Sequence, residues 1–357
     1  MKKIFALILM ACMVLSLAAC GSTSTPAATE APAEAEAPAD VPAEGGDAAA
    51  EAEYKLGMGV SLNMDSSKTG NAQVDATVAA VVIDADGKIV ACRIDCAQSK
   101  MAVADGAVDA AATFKTKMEL GDDYGMVAYG NAIAEWDAQA KAFEDYVVGK
   151  TAAEVEGIET AVNEEGYDVA TDETLLASCT MSITDFKDAV VKACNDPLAS
   201  SFTAGEFTLG VAAITAADES TEATADKDGV VKMYTEYAAV VVVDGKILAA
   251  VTDATQPQIT INTDGEIVDT LFKGTKRELG DDYGMVAYGN AIAEWDAQAK
   301  AFADYTVGKT ADEVRGLETS VNEEGYAITT DETLLASCTM SISGMMAVIA
   351  LAVDYAR

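Results

Sequence analysis

Apolar and polar positions follow three regimes along this chain. Residues 4–17 form an apolar run, interrupted by Ser16 alone, behind Lys2 and Lys3, and residues 22–53 are almost entirely Ala, Pro, Glu, Thr, Ser, Asp and Gly. From 54 onward, short β-branched runs give way to helical spacing. "VAAVVIDADGKIVACRID" (78–95) and "AAVVVVDGKILAAV" (238–251) are apolar runs broken by Asp-Gly, the pairing that predicts a tight hairpin. A second Asp-Gly follows in each case (Asp105-Gly106 and Asp264-Gly265) and predicts a further strand pair. Met126, Tyr129, Ile133, Trp136, Ala140 and Phe143 then fall alternately three and four residues apart, which predicts one amphipathic helix. Asp137 and Lys141 stand at i,i+4 on its flank. Thr151-Ala152-Ala153-Glu154 and Thr310-Ala311-Asp312-Glu313 have capping-box spacing and open a second helix. A third helix is expected over Asp185–Asn195 and again over Gly344–Tyr355.

These elements occur twice. Residues 119–183 align without a gap with 278–342, and 56 of 65 positions are identical. Upstream the likeness is weaker: Tyr54-Lys55-Leu56-Gly57 answers to Phe207-Thr208-Leu209-Gly210. The order in each copy is strands, then helices. The fold class expected is therefore α+β: two homologous domains, 54–196 and 207–357, each a mostly antiparallel sheet with helices packed on it.

The N-terminal regimes change the picture of where the chain works. A charged pair, an apolar run too short to span a bilayer and Leu17-Ala18-Ala19-Cys20-Gly21 resemble a bacterial lipoprotein signal. The resemblance implies cleavage before Cys20, lipid on its thiol, and a protein held on the extracytoplasmic face of the cell membrane. Residues 21–53 then read as a flexible stalk.

Composition removes whole classes of chemistry. With 59 acidic and 23 basic residues the net charge is −36, which repels phosphate backbones, so nucleic acid is not an expected partner. Histidine is absent, which removes Ser-His-Asp and Cys-His catalysis and imidazole metal sites. Cys92 and Cys96 are four strand residues apart, about 13 Å, beyond disulfide reach. With Cys179, Cys194 and Cys338 they read as buried thiols, although thiol redox at Cys179 and Cys338 is an open alternative. Gly149-Lys150-Thr151 lacks the earlier glycine of a phosphate loop. The Asp226–Gly229 stretch lacks both end ligands of a calcium loop.

Three features in the repeat carry candidate chemistry. Gly121-Asp122-Asp123-Tyr124-Gly125 suits either a helix start or a cation or ring edge. Trp136 and Trp295 suit either core or a stacking face. "DETLLASCTMSI" (172–183 and 331–342) is a turn rich in hydroxyls ahead of a helix, suited to capping it or to holding a phosphate.

In their order, the signal, the duplicated acidic domains, the Asp-Gly-Lys-Ile hairpin, "ELGDDYGM", the Trp-bearing helix and this last turn resemble the FMN-binding-domain lipoproteins of Gram-positive bacteria. The resemblance implies FMN as cofactor, attached by a flavin transferase to a Thr or Ser. It also implies electron transfer between extracellular donors and acceptors, by a carrier rather than a substrate-converting enzyme. The acceptors it implies are Thr180 and Thr339, with Ser178 and Ser337 beside them. Ala177-Ser178-Cys179-Thr180 stands where that family has Ser-Gly-Ala-Thr, and Thr174 replaces its aspartate. The alternative is a non-redox surface lipoprotein, a solute-binding module or a structural antigen.

Overall fold

A computed structural model describes residues 51–357; the signal at 1–20, its Cys20 and the stalk up to residue 50 lie outside the described residues. The first repeat opens with strands Ala52–Asn63, Asn71–Ile83 and Ile89–Ala102, joined as an antiparallel sheet. The segment linking the repeats adds a fourth strand, Ser200–Ala204, along Ala52–Leu56. The second repeat builds its own antiparallel sheet from Thr208–Ala216, Tyr234–Val243 and Lys246–Thr255. Its hairpin is the tight one expected of Asp-Gly, with Asp244 and Gly245 both left-handed at φ 50° and 73°. The fold is α+β.

The two sheets lie face to face. Leu56, Met58, Val60, Val78 and Val82 from the first share one core with Leu209, Val211, Tyr237, Ala239 and Val241 from the second. The outer faces are covered by helices. Ala79, Val81, Ile94 and Cys96 pack against Trp136, Phe143, Phe186 and Val190; Ala238, Val240 and Val242 pack against Trp295, Phe302, Val348 and Ile349. Strands buried on both faces explain why these runs are continuously apolar rather than alternating. The layers are helix, sheet, sheet, helix, and the repeats share the middle.

Gly57 and its counterpart Gly210 have a packing role. A Cβ on Gly57 would stand 2.0 Å from the Ala193 carbonyl, and one on Gly210 would stand 1.9 Å from that of Ala352. The final helix of each repeat, Thr184–Cys194 or Ser343–Asp354, therefore lies directly on a strand backbone. These helices match the expected third helix, and both capping boxes at Thr151 and Thr310 form as predicted. Cys92, Cys96, Cys179 and Cys338 are buried and all five cysteines of the described residues are free.

Three expectations are corrected. Asp264-Gly265 does link a strand pair, Gln258–Ile261 with Ile267–Leu271. Asp105-Gly106 instead forms a single turn, because the second repeat occupies the adjacent space: a Cβ on Gly106 would meet that of Ala223 at 2.8 Å. The six-residue stripe is not one helix. A short helix, Met126–Gly130, stops at left-handed Asn131 (φ 50°), and the Trp136–Val147 helix begins afresh. Only Trp136, Ala140 and Phe143 are buried, whereas Tyr129 is 90 % and Ile133 56 % exposed. Lys141 pairs with Asp145, a turn further on, rather than with Asp137.

The repeats also interlock through polar groups. The Arg277 guanidinium of the second repeat makes a bidentate pair with Asp196 of the first, at 2.9 and 3.0 Å. Lys192 pairs with Glu278 at 3.2 Å, and the Tyr355 hydroxyl donates to Glu119 at 3.2 Å.

Candidate functional site

Glu119 and Glu278 belong to a capping box that opens just ahead of the duplicated block. Thr116 Oγ1 accepts from Glu119 N (3.2 Å), and Glu119 Oε2 accepts from Thr116 N (2.8 Å). Thr275 and Glu278 repeat this at 3.1 and 2.9 Å. Each box starts a four-residue helix whose first residue is a lysine, Lys117 or Lys276. A buried aspartate of the neighbouring strand fixes that helix to the sheet. Asp95 Oδ1 accepts from Met118 N (3.2 Å), and Asp253 Oδ1 accepts from Arg277 N (3.1 Å).

The lysine then meets aromatic rings from further along the block. Lys117 Nζ lies 5.1 Å from the centroid of Tyr124 and 5.4 Å from that of Trp136. Lys276 Nζ lies 4.8 Å from Tyr283 and 5.2 Å from Trp295. A third ring, Tyr234, stands at 4.7 Å, and its hydroxyl accepts from the ammonium at 3.2 Å. At these distances the ring faces attract the cation. Lys276 is only 7 % exposed.

A carboxylate stands at the start of the final helix in both repeats, delivered from opposite sides. In the second repeat it is Glu236 of the strand, whose Oε2 lies where a Cβ on Gly344 would be, 1.5 Å away. In the first repeat the helix itself supplies Asp185, which accepts from Ser61 (3.1 Å) and Asn63 (3.3 Å). Burial pushes Glu236 up to about 7, against the pull of Lys276, and burial lowers Lys276 to about 8.

What this lysine box does is visible in the chain between its rings. Tyr124 and Trp136 grip one ammonium, so the segment 125–135 is closed at both ends and projects outward. Glu135 braces it from within, accepting from Met126 N (2.8 Å) and Val127 N (3.0 Å). Gly125 (φ 80°) lies beneath the Tyr129 ring, where a Cβ would stand 2.6 Å from Cδ2, so the ring rests on bare backbone. In the second repeat Glu294 braces 284–294 at 2.7 and 3.0 Å, and Tyr288 rests on Gly284. Tyr129 and Tyr288 are each 90 % exposed, with Val127, Ile133, Val286 and Ile292 about half exposed around them. A solvent-facing apolar cluster held on a rigid support is the usual form of a binding surface.

The hydroxyl-rich turn lies elsewhere. Thr180 N and Oγ1 both donate to Gln139 Oε1 (2.9 and 3.4 Å), and Thr339 repeats this with Gln298 (2.9 and 3.3 Å). Ser178 Oγ donates to Leu175 O (3.4 Å) and Ser337 Oγ to Leu334 O (3.2 Å). None of the four shares a hydrogen bond with the lysine boxes. The final helices begin after Ile183 and Ile342, neither of which supplies a side-chain cap. Burial pushes the Cys179 and Cys338 thiols up to about 11, so they are neutral at neutral pH. Asp122 and Asp123 are exposed, and among the described residues no cluster of Asp, Glu or Cys has metal-site geometry.

Sequence reasoning missed Lys117, Lys276, Asp95 and Asp253. The available signal was Thr-Lys-x-Glu at 116–119 and 275–278, a second pair of capping boxes.

The buried acids give a pH dependence. Burial pushes Asp95 and Asp253 up to about 6, and among the described residues Asp95 Oδ2 has no hydrogen-bond partner. With Glu236 they hold protons in the folded chain that the unfolded chain has released. The folded state therefore binds more protons between about pH 4 and pH 7, and stability falls as pH rises through that window. The thermal midpoint is expected to be higher at about pH 5 than at about pH 7.5, and the slope to flatten in Asp95→Asn/Asp253→Asn. A midpoint that rises toward neutral pH contradicts this.

The chain matches no protein family model, no curated protein and no solved structure.

Proposed function

We propose that this chain is a lipid-tethered, extracytoplasmic surface module without redox chemistry, which holds two copies of one binding loop away from the membrane. The observation that carries this reading is the pair of braced loops, 125–135 and 284–294, with Tyr129 and Tyr288 each 90 % exposed. Their letters are identical in both repeats, as are those of the buried helix start and of the 171–183 turn, while the strands have diverged. The lysine boxes serve the loops, closing each at its base. The tether is the lipoprotein-like signal and Cys20, followed by the stalk.

A flavin carrier needs Thr180 or Thr339 as attachment point and room for a ring system. Both hydroxyls face a buried glutamine of the adjoining helix. Neither the cavity beside Arg277 and Asp296 nor the one beside Tyr234 and Gln256 is lined by these threonines. These observations favour the non-redox reading.

Intact mass tests it. The full chain is expressed in a lipoprotein-processing bacterium together with an active flavin transferase. The expected mass is that of the chain cleaved before Cys20 and carrying lipid, with no FMN increment. One or two FMN increments, lost in Thr180→Ala/Thr339→Ala, would overturn the non-redox reading. An unprocessed N-terminus would overturn the tether.

A further inference from the structure

Whatever docks on these loops must suit both an aromatic face and a strongly negative surround. The turn that ends in Gly125 carries exposed Asp122 and Asp123, and the one that ends in Gly284 carries exposed Asp281 and Asp282. Among the described residues these carboxylates have no ion-pair partner, unlike Glu135 and Glu294, which are taken up by backbone N–H groups. The whole chain carries −36, so the surface repels polyanions and acidic membranes and draws cations toward it. We propose that each loop seats a Lys or Arg side chain of a basic partner protein on the exposed ring of Tyr129 or Tyr288, with the aspartate pair of the turn that precedes the loop taking the charge. The proposal rests on the reading of the loops as a display surface and supplies the partner's chemistry.

Each component of the loop fits that occupant. A tyrosine face attracts an ammonium or guanidinium, and each ring is 90 % exposed with one edge beside Gly125 or Gly284. Val127 and Ile133 are half exposed at the same loop, suited to the aliphatic stem that a long basic side chain lays along apolar surface. Two identical loops on one compact unit allow a partner with two basic segments to engage both, which multiplies affinity without new contacts. A neutral glycan would use the rings but leave the aspartate pairs without a role.

The test separates ring contact from bulk charge. Binding of decalysine and deca-arginine to the full chain is measured by calorimetry at about 150 mM salt, where charges beyond about 8 Å are largely screened. Tyr129→Ala/Tyr288→Ala keeps the net charge, and both side chains are exposed, so its thermal midpoint should match the parent. It is expected to bind the peptides about five- to thirtyfold more weakly, from the usual strength of two exposed cation–π contacts. Tyr129→Phe/Tyr288→Phe keeps the ring faces and should bind like the parent. Equal binding by the alanine variant would overturn the proposal, since only bulk attraction would then be at work. Binding of a neutral oligosaccharide or of zwitterionic vesicles in place of the basic peptides would also overturn it, while leaving loops that bind. Failure of the non-redox reading is seen separately, as flavin in the intact mass.

Discussion

Asp196→Ala is expected to lower the stability of the whole folded unit by about 3–5 kcal/mol, the usual cost of removing one partner of a buried ion pair. The Asp196 side chain is 4 % and that of Arg277 9 % exposed, and the carboxylate accepts both guanidinium nitrogens and Met58 N. Alanine leaves the guanidinium with no counter-charge in a site water hardly reaches. The pair joins the end of the first repeat's final helix to the capping-box helix of the second, so its loss should be felt by both repeats at once. Urea unfolding followed by tryptophan fluorescence checks this, since Trp136 and Trp295 report on one repeat each. The expected result is one shared transition at lower urea. Asp196→Leu/Arg277→Met should recover more than half of the loss, because an apolar pair removes the stranded charge. Two separate transitions, with only the first repeat weakened, would show that the repeats fold independently.

Lys276→Ala is expected to cost about 2–4 kcal/mol, as deletion of a long buried side chain does when its surroundings cannot collapse. Three rings converge on that side chain, and alanine leaves a void among them and removes the ammonium they face. Lys276→Met should behave differently. The folded chain lowers the amine to about 8, below its unfolded value, so the charge itself opposes folding at neutral pH. Methionine refills the space without that charge and should leave stability within about 1.5 kcal/mol of the parent. Thermal unfolding of both variants at about pH 7 checks the ordering, and equal losses for alanine and methionine would contradict it.

What could be read from the sequence was local. The hairpins at Asp86-Gly87, Asp244-Gly245 and Asp264-Gly265, the capping boxes at Thr151 and Thr310 and the final helices depend on residues a few positions apart, and they stand where spacing put them. The striped helix was misread because the loop letters imitate helical spacing: Tyr129 and Ile133 fit the period yet face solvent. The stop lies in Gly130-Asn131 and in the Glu135 carboxylate, which takes the N–H groups of the short helix. The lysine box was hidden for another reason. It gathers Asp95, Lys117, Tyr124 and Trp136 from a strand, a four-residue helix, a turn and a longer helix, and no spacing rule links them. The shared central core was equally out of reach, since a run such as "AAVVVV" announces burial on both faces without saying what covers each.

The central claim is that each lysine box closes the base of its own exposed loop. The most direct measurement is amide hydrogen exchange at Met126 and Val127, and at Met285 and Val286, in Lys117→Ala and Lys276→Ala. Each substitution is predicted to speed exchange at its own pair of amides about tenfold or more beyond its effect on the other pair and on the central strands, which follow only the global loss of stability, by freeing the segment held by Glu135 or Glu294. Unchanged exchange at the loop amides, or equal acceleration across both loops and the sheets, would contradict the claim.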